Sequence, residues 1–282
     1  MLTGRPGRTP GALQPGVPQV NASPAHDRCA LVAAHPGHEL RIHGWLERAR
    51  PTVFLLTDGS GSTRESRVES TRRVLRDAGA TEGAVFGRFP DRRFYEAVRS
   101  RDFGVFVELA DELAASLVAL QIDVVAADAR EDYNPAHDVC RAVADAAIAI
   151  AEHVANRAIR SLDFLLVGRP DDCSNGAGVR LRLDDAALAR KLAAARGYPE
   201  MAAEVDAALG QFGEEAFRIE CLRPVTNGDM AASRVGAPFY EQYGERQVAS
   251  GLYADVIRAR DHIDPLVAAL RDHALERTRC GA

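Results

Sequence analysis

Two short stretches carry side chains that can do chemistry together. His35 and His38 stand three apart in His35-Pro36-Gly37-His38-Glu39, and His137 falls in Glu131-Asp132-Tyr133-Asn134-Pro135-Ala136-His137-Asp138. Neutral imidazole is a common ligand for zinc and similar divalent metals, and two histidines at that spacing across a turn can converge on one ion. His137 as third ligand would leave the open position that a catalytic zinc keeps for water. Both stretches also have plain readings. A nearby histidine pair is more often incidental, and Asn134 is a natural N-cap before Pro135, with His137 and Asp138 as polar residues of the first helical turn. Capping and ligation are compatible, because a capped turn is rigid.

The surrounding carboxylates divide in the same way. Glu39, Asp138, Asp132 and Glu131 can each be weighed as a general base or as the acceptor that orients a ligand histidine through its other N–H. Tyr133 can donate to an oxyanion or pack beside a helix start, and the Asp58-Gly59 turn needs no function at all. In PFYEQYGERQV, Tyr240, Tyr243 and Arg246 suit a pocket for sugars or acidic groups, or packing of the C-terminal region. His26, His43, His153, His262 and His273 belong to no such pattern and read as background.

Strands alternating with helices position these stretches. Ala30–Ala34, Thr52–Thr57, Asp123–Ala127 and Leu162–Val167 are short, almost wholly apolar runs, with a shorter one at Ala84–Phe86. Helical spacing spans His38–Ala49, Thr63–Ala78, Val105–Leu120 and Pro135–Arg157. Such alternation predicts an α/β, Rossmann-like fold, a mainly parallel sheet with helices on both faces. Ligands in open sheets of this kind sit at the carboxyl ends of strands. Beyond Asp184 the pattern turns helical, through Leu188–Ala195, Tyr198–Gly210, Phe217–Val225 and Asp255–Leu275, which predicts a helical C-terminal elaboration. The expected organisation is a flexible Pro/Gly-rich extension over 1–28 and a single domain over 29–282. Within it, 29–170 form the metal-site core and 171–282 a helical cap.

Composition narrows the function classes. The chain has 282 residues, 46% hydrophobic and 27% charged, with a net charge of −5. That excludes whole-chain disorder, and no stretch approaches the roughly 20 apolar residues of a membrane span. The acidic balance argues against nucleic-acid binding through bulk charge. Five scattered cysteines with no C-x-x-C pair read as buried or incidental thiols of a reducing compartment, so the expected location is cytoplasmic.

Taken together, the two histidine stretches resemble the PIG-L or LmbE-like metal-dependent deacetylases, which remove acetyl groups from N-acetylglucosamine and related amines. That family opens with a strand running into A-H-P-D-D-E, and Ala34–Glu39 reads AHPGHE. Its second signature, similar to E-G-G-H-P-D-H-D, falls on EDYNPAHD at Glu131–Asp138. The Thr57-Asp58-Gly59 turn lies between them as the family requires, and the resemblance covers about Ala30–Val167. It implies a Zn2+ site, or one for another divalent metal, on His35, His38 and His137, with His38 where the family has aspartate. The family's general base falls on Gly37, which cannot take a proton. The first histidine of its second signature falls on Asn134, which can still donate to an oxyanion.

The resulting expectation is a zinc-dependent amide hydrolase of deacetylase type, acting on a small N-acyl amino sugar or natural-product intermediate. His35, His38 and His137 would hold the metal, Glu39 or Asp138 would take the proton, and Asn134 would steady the oxyanion. The replacement at Gly37 supports two other readings: a non-hydrolytic member that binds a ligand or partner, or a metal enzyme with a different C–N bond reaction. The expected partner is a small-molecule substrate, with no nucleic acid or membrane, and with homo-oligomer formation left open.

Overall fold

The computed structural model describes residues 27–61, 64–173, 178–225 and 236–279. The extension expected over 1–28 lies almost entirely outside the described residues, as do His26 and Cys280.

The apolar runs become the middle of one seven-stranded sheet. Its strands are β1 (Cys29–Ala33), β2 (Thr52–Thr57), β3 (Thr81–Phe89), β4 (Val124–Asp128), β5 (Arg160–Phe164), β6 (Val179–Arg182) and β7 (Ile219–Pro224), in the order β3-β2-β1-β4-β5-β7-β6. The first five are parallel, and β7 runs antiparallel to both β5 and β6. Chain progress reverses between β1 and β4: from β1 the sheet grows to β2 and β3, from β4 the other way. That is the crevice where an open α/β sheet can admit a ligand.

Both faces of the centre are covered, which is why β1 and β4 are apolar at nearly every position. Ala30 and Val32 join one core with Phe94, Phe106, Leu113, Val143 and Leu266. Leu31 and Ala33 join the other with Trp45, Leu46, Leu75, Leu188 and Tyr198. The first face is built from α3 (Asp91–Ser100), α4 (Gly104–Ala119), α5 (Pro135–Ala155) and α9 (Asp264–Arg279). The second is built from α1 (His43–Ala49), α2 (Val68–Ala78), α6 (Asp185–Arg196) and α7 (Ala202–Phe212). The helix α8 (Phe239–Ala249) lies between α7 and α9 in the chain.

The α/β, Rossmann-like class stands, and three local expectations are corrected. Helix α3 lies where the sequence pattern predicts no element. The helix expected from Thr63 begins only at Val68. Most consequentially, Phe217–Val225 is largely strand, and with β6 it makes the C-terminal third part of the sheet rather than a purely helical cap. Glu220 is the reason β7 is obscure in the sequence: a glutamate between apolar neighbours looks solvent-facing, yet it is 1% exposed.

Burial of Glu220 is matched by full pairing. Oε1 accepts from the Gly44 N–H and from Lys191 Nζ, each at 2.8 Å, and Oε2 accepts from the Trp45 N–H at 2.8 Å. The carboxylate thereby satisfies N–H groups in the first turn of α1, where negative charge is favoured. Lys191 also donates to the Arg41 carbonyl at 2.7 Å. Burial lowers the Lys191 pKa, and the Glu220 charge opposes that fall. One ion pair thus locks α6 and β7 onto the helix that follows the first histidine pair.

Strand β7 also corrects the cysteine expectation. Cys221 is disulfide-bonded to Cys173, with Cα atoms 5.7 Å apart, whereas Cys29 and Cys140 are free and buried. Among the described residues no helix is long and apolar enough to cross a membrane.

Removing one partner of a buried pair leaves an uncompensated charge. Lys191→Met is therefore expected to destabilise the protein by about 3–5 kcal/mol, read as a lower urea midpoint at unchanged m-value. The double variant Lys191→Met/Glu220→Gln should recover part of that loss.

Candidate metal centre

The three histidines meet at the β1/β4 crevice. His35 and His38 follow β1, and His137 sits in the first turn of α5, after β4. Their ring centroids are 5.3 Å apart for His35–His38, 5.7 Å for His35–His137 and 4.7 Å for His38–His137. His35 and His137 are buried.

Hydrogen bonds set the tautomers of two of them. Thr57 Oγ1 gives its proton to the Ala34 carbonyl at 3.0 Å, so it can only accept from His35 Nδ1, 2.7 Å away. Asp91 Oδ1, at 3.1 Å, accepts from the same nitrogen. His38 Nδ1 faces Asp128 Oδ2 at 2.9 Å. Carboxylates accept, so Nδ1 carries the proton in both rings and Nε2 keeps its lone pair, as in a ligand histidine oriented by a carboxylate. The third ring differs: His137 Nδ1 is buried with no hydrogen-bond partner.

This donor set fits a divalent metal chemically. Two imidazoles are preset to offer Nε2, and the third holds an orphaned nitrogen beside them. The fit lies in donor chemistry rather than completed coordination. Among the described residues no group of three or more His, Cys, Asp or Glu is already arranged to hold an ion.

Two residues of this centre escape a reading of the sequence. Asp128 ends β4 with no exposure; its Oδ2 also accepts from the Ala34 N–H at 2.8 Å, and its Oδ1 has no hydrogen-bond partner. Asp91 opens α3, and its Oδ2 accepts from the Gly61 N–H at 2.8 Å. Burial alone would raise the Asp91 carboxyl, but the hydrogen bond and charge of His35, with the Gly61 N–H, outweigh it and bring it down to about 2. Asp128 does leave a signal, as a polar residue closing an apolar strand. Asp91 depends on α3, which the pattern does not show. The Asp58 turn acts through Asp91, because Asp58 Oδ1 accepts from the Ser60 N–H at 2.9 Å and from the Asp91 N–H at 3.3 Å.

The other expected site residues have definite places. Glu39 is fully buried; Oε2 accepts from the Gly37 N–H and Oε1 from Thr71 Oγ1, both at 2.8 Å. With both oxygens engaged, it holds the turn that carries the histidines. Glu131 receives the N–H groups of Leu166, Val167 and Gly168, at 2.6–3.2 Å. Asp138 is buried, and its Oδ1 accepts from the Asp132 N–H at 3.3 Å. Asn134 is the N-cap of α5: its Oδ1 accepts from the Ala136 N–H at 2.9 Å and from the Tyr95 hydroxyl at 3.1 Å. Two donors on one atom identify it as oxygen, so the NH2 remains to donate elsewhere. Burial, then the Asp91 charge, pushes the Tyr95 phenol far up, so it stays a donor at neutral pH.

Gly37 has two reasons to be glycine. Its φ is 100°, in the left-handed region, and a Cβ built there runs into Met201 Sδ. The space of a position-37 side chain belongs to the short helix Pro199–Met201.

No protein-family model matches the sequence, and no curated protein does. Solved structures similar to this chain include two of low sequence identity. One is described as the conserved protein TT1542 from Thermus thermophilus, with a TM-score of 0.51 at 20% identity over 74% of this chain and 100% of that one. It shows a shared fold. The other is described as the zinc-inhibited form of teicoplanin deacetylase Orf2, with a TM-score of 0.44 at 12% identity over 78% and 94% of the two chains. At that distance it bears on neither residue roles nor chemistry.

Two outcomes follow from this geometry. Gly37→Ala is expected to cost about 1–3 kcal/mol in thermal or urea unfolding, and adding Met201→Ala should return the steric share but not the share due to φ. Burial, then the charges of His38 and His35, lowers the His137 pKa well below its ordinary value. The unfolded chain binds that proton at about pH 6.5 while the folded chain resists it, so metal-free stability should fall as pH drops below about 6.5. Urea midpoints between about pH 8 and 5 check this, and His137→Gln should flatten the slope.

Proposed function

We propose that the protein is a metal-dependent amide hydrolase of deacetylase type, acting on a small N-acyl amino sugar or natural-product intermediate. The observation that carries the reading is the trio of imidazoles in the β1/β4 crevice, two of them oriented by buried carboxylates. His35, His38 and His137 would hold Zn2+ or another divalent metal. Bound there, such an ion supplies a Lewis acid for the amide carbonyl and lowers the pKa of water. The chain's own residues do the rest. Asp91 and Asp128 keep the first two rings in the ligating tautomer. Asn134, its oxygen fixed by Ala136 and Tyr95, turns its NH2 to the developing oxyanion. Asp138 takes the proton, because Glu39 spends one oxygen on the Gly37 N–H and the other on the Thr71 hydroxyl.

A second reading has its own observation. Position 37 has no side chain, Met201 fills its space and Glu39 is committed, which favours a member that binds a small ligand without turnover.

His137→Ala separates the two. Under the hydrolase reading it loses bound zinc and acetate release from N-acetyl sugars together; under the binding reading ligand affinity persists. Asp128→Asn should weaken zinc about 10–100-fold while the fold survives. The hydrolase reading fails if the wild-type protein, purified metal-free, takes up no zinc in a stoichiometric titration.

A further inference from the structure

We propose that the Cys173–Cys221 disulfide is a reversible redox latch on a backbone strap that spaces the two histidine stretches, so that reduction loosens the metal centre. The inference rests on the metal-centre reading above and adds regulation to that site.

The strap is the chain that follows β5. The β5–β7 ladder covers only Leu162–Pro224 and Asp163–Arg223, so from Leu165 onward the chain has left it. Two side chains then grip the strap, one from each histidine stretch. Arg41, in the short helix that begins at His38, donates from Nε to the Leu165 carbonyl at 3.0 Å and from Nη2 to the Gly168 carbonyl at 2.5 Å. Glu131, at the head of the loop that leads to His137, accepts the N–H groups of Leu166, Val167 and Gly168 at 2.6–3.2 Å. Backbone acceptors thus answer to one stretch and backbone donors to the other, and a shift of the strap moves both. Beyond this grip, Cys173 pins the strap to Cys221 of β7. Arg41, Leu165, Arg169 and Asp172 line one small cavity with Cys221, so the bond lies against the strap and the guanidinium that holds it.

Stapling of the sheet does not account for this bond. β7 already pairs with both β5 and β6, and Glu220 fixes it to Lys191 and to the start of α1. What the cross-link adds therefore falls on the strap. The bond is also approachable from one side, because Cys221 is buried whereas Cys173 is half-buried beside exposed Asp172. A dithiol reductant attacks Cys173 Sγ as its thiolate, forming a mixed disulfide and releasing Cys221 as a thiolate that takes a proton. The second thiolate of the reductant then attacks the reductant's own sulfur in that bond, and Cys173 leaves to take the second proton. Two electrons pass to the protein, and the dithiol departs as a disulfide. Cys29 and Cys140, free and buried, take no part.

The test compares the full chain, metal-free, as the disulfide and after reduction with dithiothreitol and desalting under nitrogen. The oxidised protein should bind zinc about tenfold more tightly in a competitive titration, the low end of the loss when a ligand's outer support is removed. Without metal, the Leu166–Gly168 amides should exchange about tenfold faster after reduction, while those of Ala30–Ala33 in β1 stay protected. The double variant Cys173→Ser/Cys221→Ser should match the reduced protein and ignore dithiothreitol, which also excludes zinc held by the freed thiols. Equal zinc affinity and equal exchange in both forms overturn the proposal, as does a serine variant that binds zinc like the oxidised protein. Loss of β1 protection on reduction overturns it too, because the bond is then a staple of the whole fold. If neither form takes up zinc, the hydrolase reading fails, and exchange at Leu166–Gly168 alone decides the latch.

Discussion

One carboxylate oxygen ties the sheet to the site. Asp128 Oδ2, at the end of β4, accepts from the Ala34 N–H at the end of β1 and from His38 Nδ1. A carboxylate taken fully out of water costs several kcal/mol unless its partners are well placed. Here the partners are the neighbouring strand and a candidate ligand. The register that pairs Val32 with Ala127 therefore also fixes where His38 points. Strand pairing and imidazole orientation share one constraint, and the crevice between β1 and β4 is where that constraint falls.

The same economy recurs around the centre. Asp91 holds His35, Glu39 holds the turn between the two histidines, and Glu131 gathers three backbone N–H groups of the loop after β5. Each of these carboxylates is stabilised by what it positions. The consequence for chemistry is a shortage of uncommitted proton acceptors. Glu39 adjoins His38 in the chain, yet both its oxygens are engaged, which leaves the acid/base role as the point that most separates hydrolysis from binding.

The C-terminal third acts on this centre from two sides. Through Glu220 and Lys191 it grips α1, and through Met201 it fills the space over Gly37. Through α8 it lays Phe239 and Tyr243 against Tyr133, at the threshold of Asn134. The region with no recognisable motif therefore decides how much room the centre has and what surface leads to it.

Much of the frame is legible because burial on both faces leaves a plain mark. Thr52–Thr57 reads to the residue, and β1, β4 and β5 to within a few positions, since strands covered on both sides must be apolar throughout. Pro135 with Asn134 before it marks the start of α5, as local capping chemistry does. The sequence by itself also singles out His35, His38 and His137 from eight histidines. What it cannot carry are relations across the sheet. Glu220 looks like a surface residue because its partners, Lys191 and the Gly44 and Trp45 N–H groups, are 29, 176 and 175 residues away. Asp91 and Asp128 lie 56 and 90 residues from the imidazoles they orient. Burial patterns and caps are written in neighbouring residues, so the chain declares them locally. A polar group's partner is set by which strand ends come together, and only the folded sheet decides that.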